Sequence, residues 1–148
     1  VEFQRGSWVN NPTIVAQNSR MVSINTCISV DFTGQVASES IGTSQYSGTG
    51  GQSDTAQGAV AGFDGLGKSI IACYSTAKNG TVSTITPTLP EGAAVTLHRS
   101  HVDHVVTEHG VARLRGRTVR ERTQELIAIA HPDFRADLTA RARSLGYL

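Results

Sequence analysis

The chain has 148 residues, 39% of them hydrophobic, and a formal net charge of +1. That length suits one domain with a sizeable core, and the composition argues against disorder. The near-neutral charge gives no bias toward nucleic acid or a membrane surface, and no apolar run approaches the roughly 18 residues needed to span a bilayer.

The sum hides an asymmetry. The first half is rich in Gly, Ser, Thr and Gln, whereas the last stretch carries Arg113, Arg115, Arg117, Arg120, Arg122, Arg135, Arg141 and Arg143. No signal peptide opens the chain, and a start at Val1 without an initiator Met reads as a fragment boundary.

Asn11-Pro12 opens a short helix through Ala16, with Pro12 suited to a first helical position. Met21 to Phe32 alternates as a strand does. Val22, Ile24, Thr26, Ile28, Val30 and Phe32 fall on one side, and Ser23, Asn25, Ser29 and Asp31 on the other. Thr33-Gly34 reads as a turn and Gln35 to Ile41 as a weaker strand. A glycine-rich segment, Tyr46 to Gly51, runs into a helical pattern over Gln52 to Ala61.

Lys68 to Tyr74 reads as a buried strand. Thr81 to Thr86, Ala93 to Leu97 and Val102 to Thr107 are further strand candidates, with Pro87 and Pro90 between them. Thr118 and Glu121 fit a capping box that opens a helix. A last helix starts near His131-Pro132-Asp133, repeats Phe134, Leu138, Ala142 and Leu145 at helical spacing, and ends at Gly146. Interspersed strands and helices imply an α/β layered domain. Cys27 and Cys73 lie in strand-like apolar runs and read as buried free thiols of a reducing compartment rather than a disulfide.

Four features could carry chemistry. The turn from Gly48 to Gly51 lets backbone amides approach a ligand, and the helix that follows adds positive potential; a phosphate or an oxyanion suits such a place. Taken alone, a plain tight turn explains it as well. His98, His101, His104 and His109 cluster with Asp103 and Glu108. Residues Arg99 to His104 fall one ligand short of a His-x-His-x-Asp-His zinc pattern, because Arg99 stands where the first His should be. Solvated or core-edge histidines are the commoner outcome, so no metal is expected. Glu108 stands at a strand end before His109-Gly110, a place suited either to a site or to a surface ion pair. Arg113, Arg115 and Arg117 alternate and could meet phosphates, or be solvated charges. No nucleic-acid motif accompanies them.

Several stretches together resemble one family, the acetyl-CoA hydrolase/transferase enzymes that include 4-hydroxybutyrate and acetate CoA-transferases. Val22 to Thr26 and Val30 to Val36 resemble "SINxAIEVDLTGQV". Tyr46 to Asp54 resembles "YSGxGGQxDF", and Lys68 to Ala77 "KxIIALxSTA". Val105 to Ala112 is similar to "VVTEYGVA". Leu114-Arg115-Gly116 and Ala130 to Arg135 match "LRG" and "AHPDFR". Order and spacing hold from about Asn10 to Phe134, and the set is far more specific than any one motif.

The resemblance implies the C-terminal domain of a CoA-transferase over residues 1–148. Its fold would be an open, mixed or mostly parallel sheet with flanking helices, of the NagB/RpiA-like kind. Such enzymes move CoA from an acyl-CoA to a free carboxylate through a glutamyl-CoA thioester, covalent catalysis that divides one hard step. The family's nucleophilic glutamate belongs to a Gly-x-His-Thr-Glu-like motif upstream of the segment matching Asn10, and residues 1–148 contain no such motif, so this chain alone is expected to be inactive. Asn10 matches an asparagine near the oxyanion. Gly51 matches the glycine whose amide helps form the oxyanion hole, and Glu108 a glutamate that organises the site. Gly48, Gly50, Gly51 and Gln52 are the expected CoA-binding positions.

The implied partners are an acyl-CoA, a short-chain carboxylate, the N-terminal domain of the same enzyme and a second copy in a homodimer, in the cytoplasm. CoA is a substrate, and no cofactor is implied. Thr55, Gln57, Thr84 and His109 depart from the usual Phe, Arg, Arg and Tyr, which leaves the acyl specificity open. CoA-ester hydrolysis, a noncatalytic CoA-binding module and, more remotely, a zinc hydrolase are the alternatives.

Overall fold

In the computed structural model, which describes residues 1–148, the chain forms five helices and eleven short strands. Helices α1 (Gly6–Val9) and α2 (Pro12–Val15) precede β1 (Val22–Asn25), β2 (Ser29–Asp31), β3 (Val36–Ala37), β4 (Ser40–Ile41) and β5 (Ser44–Gln45). Helix α3 (Gln52–Val60) is followed by β6 (Lys68–Ala72), β7 (Thr76–Ala77), β8 (Val82–Ser83) and β9 (Ile85–Thr86). A 3-10 turn (Arg99–His101), β10 (His104–Thr107), β11 (Gly110–Arg113), α4 (Val119–Ala128) and α5 (Pro132–Ser144) complete the chain.

The main sheet has the order β1-β6-β10-β11. Strands β1, β6 and β10 are parallel, and β11 returns antiparallel as a hairpin edge. The expected mixed, mostly parallel sheet with flanking helices is therefore present. A smaller sheet, β3-β2-β9, stands beside it, and the buried core joins its Val30 and Ile85, and Phe32 just past β2, to Ile71, Val105 and Ala112 of the main one.

Several sequence expectations need correction: Gln35 to Ile41 and Thr81 to Thr86 each divide into two short strands of different sheets. Met21 to Phe32 is not one strand: β1 and β2 belong to different sheets, parted at residues 26–28. The apolar side of β1 also faces outward, with Val22 46% and Ile24 66% exposed, whereas Ser23 is buried. The cause is the partner. Helix α3 packs on β1 and β6, its buried Ala56 and Ala59 being small, and small residues at Ser23 and Ser69 let it approach. Residues 93–97 form no strand; only Leu97 bridges to Val36.

The helix signals hold. Thr118 accepts from the Glu121 amide, and Glu121 accepts from the Thr118 amide, so the capping box is formed. Gly146 ends the last helix at φ +72°. Glycine is required at two packing points. A Cβ on Gly58 would stand 2.5 Å from Val15 Cβ, and one on Gly67 would stand 2.0 Å from the Ala59 carbonyl oxygen. These contacts fix α2 and β6 against α3.

Candidate functional site

The C-terminal ends of the three parallel strands lie side by side, the usual place for a site in such a sheet. Thr26, Ala72 and Cys73, just at or beyond the ends of β1 and β6, line a cavity of about 410 Å³ with Thr107 and Glu108. Glu108 sits in the tight turn between β10 and β11. Gly110 adopts φ +141° there, and the Thr107 hydroxyl donates to the Ile129 carbonyl at 2.6 Å while accepting from the His109 amide at 3.1 Å.

That turn aims the Glu108 carboxylate across at Ser75. The Ser75 hydroxyl donates to Oε1 at 2.5 Å and its amide to Oε2 at 2.9 Å. These donors, the hydroxyl first, hold the carboxyl below its ordinary pKa, with the His109 ring 3.6 Å away. Glu108 is a fixed, ionised acceptor at the cavity mouth.

The glycine-rich turn is positioned separately. The buried Glu39 anchors it. Its Oε1 accepts from Gln45 Nε2 at 3.3 Å and Thr49 Oγ1 at 3.4 Å, its carbonyl accepts from the Tyr46 amide at 2.7 Å, and its Oε2 has no partner. Gly50 takes φ +62°. Around Gly48 and Gly50 the space is open, as a turn that admits a ligand requires.

Gly51 is the N-cap of α3, and no side chain caps the first-turn amides. Those amides, with the positive end of the helix, form a donor set for an anion or a developing oxyanion. Asn10 lies against them. A Cβ on Gly51 would stand 2.7 Å from Asn10 Nδ2. Asn10 is held there by ending α1, where its amide donates to the Gly6 carbonyl, and by the neighbouring Asn11, whose side chain caps α2.

The structure thus brings Asn10 and Gly51 together, and the next residue, Gln52, reaches the lining of the Glu108 cavity, where its Nε2 donates to the carbonyl of Thr26 at 3.2 Å. Asn10 itself lines a different cavity, of about 470 Å³. Ser75 and Glu39 carry the geometry and were not singled out from the sequence. Ser75 lies 33 residues from Glu108, so no local spacing announces the pair.

The four departures also have places. The Thr55 hydroxyl accepts from Ser23 at 3.0 Å and donates to the Gly51 carbonyl at 3.1 Å, linking β1 to the first turn of α3. Thr84 is buried and donates to the Tyr74 carbonyl at 2.7 Å. Gln57 lines a shallow cavity with Pro12 and Phe63, and His109 packs its ring edge-on to His131 at 5.3 Å.

The histidines do not converge. His98 bonds Ser100, His101 and His104 belong to separate elements, and nowhere do three His, Cys, Asp or Glu side chains assemble with metal-binding geometry. The buried Asp103 instead accepts from the Ser69 amide at 2.9 Å and from Arg115 at 3.4 Å. The arginines are remote from Gly51. Arg113 and Arg115 border a cavity with Lys68 and His104, at the N-terminal ends of β6 and β10, the opposite end of the sheet. Arg117 pairs with Glu121. No helix is long and apolar enough to cross a membrane.

Comparison with known proteins gives a consistent result. The family described as the acetyl-CoA hydrolase/transferase C-terminal domain matches residues 1–142. The chain is 55% identical over 138 residues to the 4-hydroxybutyrate coenzyme A transferase of Clostridium kluyveri, covering 93% of this chain and 32% of that protein. It is 51% identical to the succinyl-CoA:cyclohexane-1-carboxylate CoA transferase of Geobacter metallireducens, covering 98% and 33%. The crystal structure of RipA from Yersinia pestis superposes with a TM-score of 0.86 at 43% identity, over 95% of this chain and 31% of that one. The chain spans about a third of the length of the relatives it matches.

Proposed function

The chain belongs to the acetyl-CoA hydrolase/transferase family as its C-terminal domain, and from that premise we propose that it supplies the oxyanion-binding half of an acyl-CoA:carboxylate CoA-transferase. The observation that carries the reading is the contact between Asn10 and Gly51 at the uncapped start of α3. A thioester carbonyl seated there would gain negative charge as a carboxylate attacks it. Fixed donors aimed at that charge lower the barrier, because they are already oriented when the charge forms.

The attacking glutamate comes from the rest of the whole protein. Attack expels CoA thiolate and leaves an acyl-glutamyl anhydride. CoA thiolate then returns to the glutamyl carbonyl, releasing the acyl group as its free acid and forming the glutamyl-CoA thioester. An incoming carboxylate takes the CoA by the reverse steps. Glu108, fixed by Ser75, orders the wall of the neighbouring cavity, and Gly48, Gly50 and Gln52 form the lip along which CoA lies. The outward apolar face of β1, with Val22 and Ile24, is the surface that the enzyme's N-terminal domain covers. The enzyme works in the cytoplasm as a homodimer, with no resident cofactor.

Hydrolysis is the competing outcome, since water in place of the second carboxylate discharges the same intermediate. The test is the whole protein with acetyl-CoA and isotopically labelled acetate. Label entering acetyl-CoA supports transfer. Loss of acetyl-CoA without label entering it overturns the transferase reading.

A further inference from the structure

Strands β1 and β6 run parallel in a register that pairs Ser23 with Ser69 and Asn25 with Ile71. Cys27 and Cys73 stand two residues beyond this last pair, just past the ends of β1 and β6. Equal steps from a paired position keep parallel neighbours level and on the same face of the sheet. Adjacent strands lie about 4.8 Å apart, and a disulfide needs Cα atoms about 4.4–6.8 Å apart. The register therefore brings Cys27 and Cys73 to neighbouring positions where the two strands end.

Each thiol is the first influence on the titration of the other, as neighbouring groups are. Both residues are half-buried and unbridged. Cys27 packs on the edge of the core, whereas Cys73 forms part of the wall of the cavity at Glu108. The amide of Cys73 donates to the Val106 carbonyl at 3.0 Å, so its backbone stays fixed. One thiol thus faces an open cavity and the other stands behind it.

From this geometry we propose that Cys27 and Cys73 are a thiol–disulfide exchange site, in which Cys73 reacts with a low-molecular-weight disulfide and Cys27 resolves the product. The Cys73 thiolate attacks one sulfur of the small disulfide. The sulfur–sulfur bond of that disulfide breaks, one half leaves as a thiolate, and a mixed disulfide on Cys73 forms. The Cys27 thiolate then attacks the Cys73 sulfur, expels the second half and leaves a Cys27–Cys73 bridge. Two protein thiols are oxidised, the small disulfide is reduced to two thiols, and the two protons released by the cysteines are taken up by the leaving thiolates.

Thiolate character favours this division of labour. The neighbouring Cys27 thiol lowers the Cys73 pKa, and the same pairing, with burial, raises that of Cys27. The bridge would tie the end of β1 to the end of β6 at the cavity wall and remove the thiol that faces Glu108.

The test uses the whole chain in glutathione buffers from reducing to oxidising, quenched in acid, alkylated under denaturing conditions and analysed by peptide mass. The expected result is a Cys27–Cys73 linked peptide that appears with oxidation and disappears on reduction. In Cys27→Ala the expected product is a glutathione adduct that persists on Cys73. Alkylation of both cysteines at every buffer ratio, or oxidised product found only between two chains, overturns the proposal. No CoA is present in the experiment, so its outcome is independent of the acyl-CoA reading.

Discussion

Asn10 Nδ2 lies 2.7 Å from the point where a Cβ on Gly51 would stand. The side chain of one and the backbone of the other share a space that only glycine leaves open. Gly51→Ala pushes the carboxamide aside, or moves the start of α3. A shift of about 1 Å in a catalytic group costs about 10²-fold in rate. In the whole protein, kcat for CoA transfer is expected to fall by about that factor, with little change in melting temperature. Asn10→Ala removes a donor and is expected to cost about 10²–10³ in kcat. Unchanged kcat in both variants would remove Asn10 and Gly51 from the mechanism.

Glu108 gives a pH-dependent prediction. Its folded pKa is depressed by the Ser75 hydroxyl and amide. A depressed carboxylate contributes stability that is present above its unfolded value of about 4.3 and is lost as pH falls through the folded value. Ser75→Ala takes away the hydroxyl. Carbon-detected NMR titration of Glu108 should show its midpoint move up toward the ordinary carboxylate range in that variant. An unmoved midpoint would mean that Ser75 does not set the charge of Glu108.

Packing of α2 on α3 holds Asn10 in place, and Gly58 permits it. A Cβ there would stand 2.5 Å from Val15 Cβ and 2.9 Å from the Pro12 carbonyl oxygen. Overpacking of this kind costs about 1–3 kcal/mol, against a gain of up to about 1 kcal/mol for alanine over glycine within a helix. Gly58→Ala is expected to be net destabilising, by up to about 2 kcal/mol. Adding Val15→Ala should recover part of the loss, which denaturant unfolding of the four-member cycle measures.

Asp103 and Arg115 form an unequal pair. Asp103 is buried and accepts from the Ser69 amide, whereas the Arg115 side chain is 56% exposed. Asp103→Ala leaves a buried amide unsatisfied and should cost about 1–3 kcal/mol. Arg115→Ala breaks only a surface ion pair and should cost less than about 1 kcal/mol. Equal losses in urea unfolding would show that the ion pair, not the amide contact, matters.

Local signals in the sequence were a good guide where a structure is local. The capping box at Thr118 and Glu121 and the α3 pattern are set by neighbours a few residues apart, and each forms as expected; β6 forms too, but ends at Ala72 and buries only Ser69 and Ile71. The alternation from Met21 to Phe32 was a poorer guide. Period two identifies extended chain but not which sheet receives it, and here β1 and β2 join different sheets. It also could not show that Ser23, rather than Ile24, faces the helix; that follows from α3 being built of small residues. Asn10, Gly51 and Glu108 were named through the family resemblance, and the long-range partners that position them, Ser75 and Glu39, had no local signature. The spacing of the arginines left phosphate ligands and solvated charges both open, and β11 carries Arg113 to the far end of the sheet from Gly51.

The account stands most directly on CoA binding at the start of α3. Calorimetric titration of this chain, treated with a chelator, with CoA and with acetyl-CoA measures it, together with the same titration of the longer protein that contains the chain. Saturable binding, weakened by Gly51→Ala, is the predicted result. Heats of dilution alone in both proteins would contradict the assignment.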